Sequence, residues 1–245
     1  MTEIFKDGFE SGDYTAWTGS GSNGTHQAIS SDKHHGAYCD RCLPTAAWQD
    51  WSADVYEDVG NYDEIHSRNY VKFVSLPSGG KYFEINDFRV AWAPLGTLRI
   101  RNNGGIMQIG ISSSEGGITY ANYPFVTGQW YCIEFARYKN ASVGWYKVYV
   151  DDSLAHSQTG LDTSAHYATR IFLGITYSGS AGTEIELYQD CCVIADTYIG
   201  PEVAVEEKPL ICESLVNPLI VSVPVIRQFK LFSKRFPKFI PRVIV

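Results

Sequence analysis

Between residues 70 and 200 the chain is written in short alternating apolar and polar runs, each closed by Gly, Asn, Asp, Ser or Pro, and no stretch holds a helical period for three turns. Breaks that recur about every ten residues leave no room for helices, and they predict an all-β domain in which two antiparallel sheets pack as a sandwich. The expected strands are Tyr70–Val74, Tyr82–Ile85, Gly96–Arg101, Ile106–Ile111, Gly117–Tyr123, Trp130–Arg137, Trp145–Val150, Ser153–Gln158, Thr169–Thr176 and Thr183–Ala195. Asn102-Asn103-Gly104-Gly105 supplies the positive φ of a tight hairpin, and Asp151-Asp152 joins two further strands. Along Trp145–Val150, Tyr146, Val148 and Val150 share one face, so that face is core and the face carrying Trp145, Lys147 and Tyr149 is a semi-polar aromatic surface.

With 245 residues, 44% of them hydrophobic, the chain is long enough for one β-rich domain and an appendage. No apolar run approaches the length of a membrane-spanning helix, and Met1-Thr-Glu-Ile-Phe-Lys6 lacks the layout of a secretory signal, so neither is expected. The formal charge of −7 is unevenly spread. All 27 acidic residues lie in 1–213, whereas Arg227, Lys230, Lys234, Arg235, Lys238 and Arg242 lie beyond. Nucleic acid is therefore a poor partner for the acidic body.

The style changes after Gly200-Pro201, and the domain boundary is placed there: 1–200 as the sandwich, 201–245 as an extended, proline-containing arm. Prolines at 209, 218, 224, 237 and 241 forbid a long helix. Phe229, Phe232, Phe236 and Phe239 alternate with basic groups, Lys234 and Arg235 among them, so the segment needs cover. Residues 209–245 are expected to dock on other copies of the chain or on other proteins of a particle. The prolines disfavour the rival reading as a membrane-surface helix.

Several motifs resemble, in order, those of the concanavalin A-like (laminin-G-like) jelly rolls and related β-sandwich carbohydrate-binding modules. They are Asp7-Gly-Phe-Glu-Ser-Gly-Asp-Tyr-Thr-Ala-Trp17, His34-His-Gly-Ala-Tyr38, Gly128-Gln-Trp-Tyr131, Lys147-Val-Tyr-Val-Asp-Asp152 and Tyr188-Gln-Asp-Cys-Cys-Val193. The likeness spans about residues 4–200 and implies a jelly roll, a fold that serves lectins, hydrolases, lyases and scaffolds alike. It also implies a structural Ca²⁺ held by Glu10, the 31–36 loop and Gln189-Asp190, with carboxylates from both chain ends clipping the domain together.

The acidic run Glu184-Ile-Glu186-Leu-Tyr188-Gln-Asp190 puts three carboxylates on one strand face, neighbours about 6.5–7 Å apart, a spacing that permits glycosidase chemistry. The Glu-x-Asp-x-x-Glu form that such hydrolases resemble is absent, and a solvated strand face is the commoner meaning. No catalytic residue is assigned.

His26, His34, His35, His66, His156 and His166 are scattered, without the spacing of a zinc site, and most are expected at the surface. Should the strand after His34 pair with the last one, as in the similar modules, Cys39, Cys42, Cys191 and Cys192 come together. A pair of disulfides, a Cys₄ metal site and reduced thiols are then all open. Opposite-facing vicinal cysteines favour disulfides and an oxidising location. Cys132 and Cys212 lack an evident partner.

Trp48, Trp51, Trp92, Tyr120 and Tyr123 lie in or beside loops and are the candidates for stacking on sugar rings, whereas Trp17, Trp130 and Trp145 are expected as core or edge-packing aromatics. Together these readings give a non-enzymatic structural protein of a virion or cell surface with a glycan-binding type of jelly roll, assembling through its arm. A polysaccharide-acting glycosidase or lyase is the alternative.

Overall fold

The computed structural model describes residues 1–21 and 23–202. Their strands are β1 (Glu3–Asp7), β2 (Gly19–Ser20), β3 (Gly24–Ile29), β4 (Cys39–Pro44), β5 (Asp50–Asp58), β6 (Glu64–Ser75), β7 (Tyr82–Val90), β8 (Ala93–Asn103), β9 (Ile106–Ser113), β10 (Gly117–Asn122), β11 (Trp130–Tyr138), β12 (Gly144–Val150), β13 (Ser153–Leu161), β14 (Arg170–Tyr177) and β15 (Glu186–Ala195). They form two antiparallel sheets. One runs β13-β12-β11-β6-β15-β4-β3 with β1 also on β15, and the other β10-β9-β8-β7-β14-β5-β2. No helix among the described residues is long and apolar enough to cross a membrane. The arm expected over 209–245 lies outside the described residues.

Alternation decides which face of each strand is core. In β12 Tyr146, Val148 and Val150 are buried, while Trp145, Lys147 and Tyr149 are half-exposed, as their spacing predicts. The inner faces meet in one cluster that includes Phe73, Phe83, Ile85, Phe88, Leu98, Ile100, Ile133, Phe135 and Tyr146. Phe88 of one sheet stacks on Phe135 of the other with ring centroids 4.6 Å apart. Tight turns set the registers. Asp151 and Asp152, at φ 50° and 69°, turn β12 into β13, and Gly104 and Gly105 turn β8 into β9.

A polar chain threads this core. Asn86 donates to Asn69 (2.8 Å), Asn69 to Gln189 (3.1 Å), and Gln189 to Asp40 (2.8 Å), which also accepts from the Tyr14 hydroxyl (2.8 Å). Asn86 reaches it because β7 carries a bulge there, with φ 47° and a register shift between Ile85 and Asp87. The extra residue reverses the phase of the strand. Phe83 and Ile85 face the core before the bulge and Phe88 after it, so Glu84, Asp87 and Arg89 all lie on the outer face.

The last expected strand begins later than its sequence suggests. Gly182–Glu184 forms a 3₁₀ turn and β15 starts at Glu186. A second bulge follows, with Cys191 at φ 50° and a shifted register between Asp190 and Val193. Among the described residues no disulfide forms: Cys39, Cys42, Cys132, Cys191 and Cys192 are free and buried. Register explains the difference. Cys42 lies opposite Leu187 and packs in the main core, Cys192 lies opposite Asp7 beside Phe9 and Trp17, and the bulge turns Cys191 outward onto Tyr70 and Cys132.

Candidate functional site

The outer face of the seven-stranded sheet gathers charged and aromatic side chains that alternation and the β7 bulge place side by side. In one cross-strand row Tyr177 of β14, Glu84 of β7, Arg99 of β8, Gly110 of β9 and Tyr120 of β10 are direct neighbours. Gly110 is required there, because a Cβ would stand 2.5 Å from the Tyr120 ring that covers it.

Four arginines are fixed on this face by rings and oxygens. Arg99 lies 4.0 Å over Tyr82 and donates to Glu84 (2.9 Å). Arg101 lies 3.5 Å over Tyr120 and donates to Gln108 (2.8 Å). Arg89 lies 4.7 Å over Phe172 and donates to Asp87 (2.5 Å), and Arg170, 4.1 Å over Trp92, holds Asp58 through two nitrogens at 2.5 and 2.8 Å. Each guanidinium is thus oriented before any ligand arrives. Asp50, Trp51, Glu84, Asp87, Arg89, Trp92 and Thr97 line a cavity of about 470 Å³.

Burial governs the carboxyls here. It pushes Asp87 up to about 7, against Arg89 and a hydrogen bond from Thr97 (3.0 Å), and it raises Glu84 against the pull of Arg99. A carboxyl near neutrality in a cavity marks a site capable of ligand or proton chemistry.

Of the expected sugar-stacking residues, Trp51 and Trp92 meet edge to face with centroids 5.3 Å apart. Trp48 lies exposed beside Tyr82 and Tyr177, and Tyr120 lies under Arg101. Tyr123 does not join them, because it packs against Phe125 (4.5 Å) and Tyr131 at the edge of the core. Sequence reasoning missed Asp54, Asp58, Glu84, Asp87, Arg89, Arg99, Arg101 and Arg170. Their alternation was visible in part, but the phase change at Asn86 was not.

The acidic ladder does not form. Glu184 lies in the 3₁₀ turn bound to Lys81, Glu186 is taken by Arg41 (2.6 Å), and Asp190 is buried under the main-chain N–H groups of His34 and His35. Only Glu186 and Asp190 keep the common strand.

Glu10 and Asp190, expected to hold calcium, line one pocket. Glu10 Oε2 accepts from the Ala37 N–H (2.6 Å) over Gly36, where a Cβ would stand 2.0 Å from Oε1. Asp190 Oδ2 accepts from the N–H groups of His34 (2.9 Å) and His35 (3.0 Å), and Oδ1 from Cys191 (2.6 Å). A Cβ on Gly8 would stand 3.7 Å from Asp190 Oδ1 and 3.9 Å from Glu10 Oε1, so Gly8 separates the two carboxyls. Each keeps lone pairs for a hard cation, and burial raises the Asp190 carboxyl. Two carboxylates of the donor type that calcium prefers thus border one pocket, which Lys6 also lines. Gln189 does not belong to the set, because it points inward to Asp40.

Folding also brings together histidines that their spacing kept apart. His66 is buried between Glu64 (2.8 Å) and Glu134 (2.6 Å), an exception to the surface place expected of most histidines. Ligating atoms of His34, His35, Cys191 and Glu202 lie within 4.8 Å of one another, as do those of His26, Asp40 and Cys42. The cationic Arg68, 3.7 Å from Glu202, opposes a metal at the first cluster.

No protein-family model matches the chain, and no curated protein matches it. Solved structures do. A cellulose-induced protein, Cip1, is 19% identical with TM-score 0.59, over 81% of this chain and 100% of that one. The fold is the concanavalin-like jelly roll. An alginate lyase shares this jelly roll at 15% identity and TM-score 0.52, over 83% and 95% of the two chains. So does botulinum neurotoxin type C, in a structure on cell entry through two ganglioside molecules, at 10% identity and TM-score 0.53, over 81% of this chain. The jelly roll spans 48% of that longer neurotoxin chain.

Proposed function

We propose that the chain binds a polysaccharide along the outer face of the seven-stranded sheet and does not cleave it. The observation that carries this reading is the set of four arginines, each held over an aromatic ring, beside the half-exposed indoles of Trp51 and Trp92. Sugar C–H faces stack on such rings while fixed guanidinium and carboxyl groups hydrogen-bond the hydroxyls, and little ordering cost remains to be met on binding. Similarity to a cellulose-induced protein and to an alginate lyase supports a saccharide ligand.

Binding is favoured over turnover because Glu84, Asp87 and Asp58 are each already engaged by an arginine. Affinity electrophoresis against cellulose derivatives and alginate tests the reading. Wild-type protein should be retarded, and Trp92→Ala should weaken binding roughly five- to tenfold through lost stacking. Mobility unchanged by every polysaccharide would overturn it.

One observation favours catalysis, namely that the Asp87 carboxyl titrates near neutrality within the cavity. Release of shortened chains that Asp87→Asn abolishes would establish the enzyme; Glu184→Gln with Glu186→Gln should leave any such turnover unchanged.

The same reading takes Glu10 and Asp190 as the holders of a structural calcium ion. It makes the chain a structural component of a virion or cell surface, assembling through Phe229, Phe232, Lys234, Arg235, Phe236 and Phe239. That part rests on the sequence of 209–245 alone.

A further inference from the structure

At one end of the sugar-binding face lies an acid with nothing to bind. Asp54 of β5 is 0% exposed, and neither of its carboxyl oxygens has a hydrogen-bond partner among the described residues. The nearby Gly21 N–H is spent on the Asp54 main-chain carbonyl (2.7 Å). Two glycines pack beside this residue. Gly174 of β14 lies directly opposite at φ 106°, where no other residue sits comfortably, and a Cβ on Gly21 would stand 2.8 Å from Oδ1.

The neighbouring cations are committed elsewhere: Arg89 to Asp87 and Arg170 to Asp58. Burial first, then Asp87 and Asp40, hold the Asp54 carboxyl well above its ordinary value. A buried acid without a partner is costly, and such groups call for a role.

In front of Asp54 opens a pocket of about 190 Å³ walled by Trp51, Tyr56, Trp92 and Phe172. The walls stand at steep angles. Trp51 meets Trp92 at 66° and 5.3 Å, and Tyr56 meets Trp92 at 74° and 5.7 Å. Ring faces around a carboxyl make the environment in which organic cations are recognised. A metal ion would find one carboxylate and no set of further oxygens, an anion would meet Asp54 itself, and a neutral group would leave the acid unpaired.

We propose that this pocket takes the cationic ammonium group of an amino sugar, with Asp54 as the counter-charge and Trp51, Tyr56, Trp92 and Phe172 as the walls. The proposal rests on the polysaccharide reading and specifies its substrate class. Ammonium binding gives Asp54 the ion-pair partner that it lacks in the protein alone.

Isothermal titration with glucosamine oligosaccharides and with their N-acetylated forms of equal length tests this, since acetylation removes only the charge and adds bulk. Wild-type protein should bind the free amine at least roughly tenfold more tightly. Asp54→Asn should erase that preference while leaving affinity for the acetylated oligomer unchanged. Its melting temperature should not fall, because the substitution removes an unpaired acid. Trp92→Ala, which takes away a half-exposed ring without opening the core, should also lose the preference. Equal affinity for both oligomers, or a preference that survives Asp54→Asn, would overturn the inference. Binding of neither oligomer would overturn it too, and retardation by cellulose derivatives or alginate would then show that the wider polysaccharide reading stands without it.

Discussion

At Asp87 burial and charge pairing pull in opposite directions, and burial prevails, setting the carboxyl near 7 against an ordinary 3.8. Below pH 4 the group is neutral in folded and unfolded chains alike. Between 4 and 7 only the unfolded chain has given up its proton, so the folded state binds more protons and stability falls as pH rises. The full difference is on the order of 4 kcal/mol, complete above pH 7. Asp87→Asn should lack this slope, and its stability relative to wild type should improve steadily from pH 4 to pH 8 in urea melts. Parallel curves for the two proteins would place the titration elsewhere. None of this was legible at the residue: the expected strand Tyr82–Ile85 stops short of Asp87, and only packing shows that Asp87 is buried.

Among the elements, β12 was legible from Trp145 to Val150, because strict alternation over those residues admits one choice of inner face. In β7 the sequence showed alternation only as far as Ile85, and the inserted Asn86 then moved the polar residues to an unexpected phase. The acidic stretch of β15 failed for a related reason, since a 3₁₀ turn takes Glu184 out of the strand and with it the two-residue period that the ladder requires. Packing between elements carries its own test. Gly96 of β8 faces Tyr146 of β12, and a Cβ there would stand 2.3 Å from the ring. Tyr146 cannot yield, being buried and held through its hydroxyl by the Leu95 carbonyl (3.1 Å) and Arg137 (3.0 Å). Gly96→Ala should cost roughly 1–3 kcal/mol of unfolding free energy by chemical denaturation. A neutral result would mean that the two sheets slide freely at this contact.

For the whole molecule, the resemblance carried by ordered motifs led to the right architecture, and Glu10 and Asp190 line one pocket because both follow or lie on strands of the same sheet, β1 and β15. It misplaced the cysteines, whose positions depend on the register of single residues. Melting temperature should rise with calcium over chelator in wild-type protein and not in Glu10→Ala, since a cation bound only by the folded state stabilises it by mass action. Identical wild-type melts would dismiss the ion. Truncation before Pro209 should turn an oligomer into a monomer by light scattering; a full-length chain already monomeric at high concentration would remove the arm as connector. The pairing of β1 with β15 has a mechanical consequence. The strands run antiparallel from Glu3/Ala195 to Asp7/Cys192, so a load pulling the two ends apart meets the rungs one after another instead of all together. Such a seam peels like a zip, at low force. Glu10 and Asp190 stand just past its last rung, where a bound ion would act as the latch that a peeling force reaches only after the seam has opened.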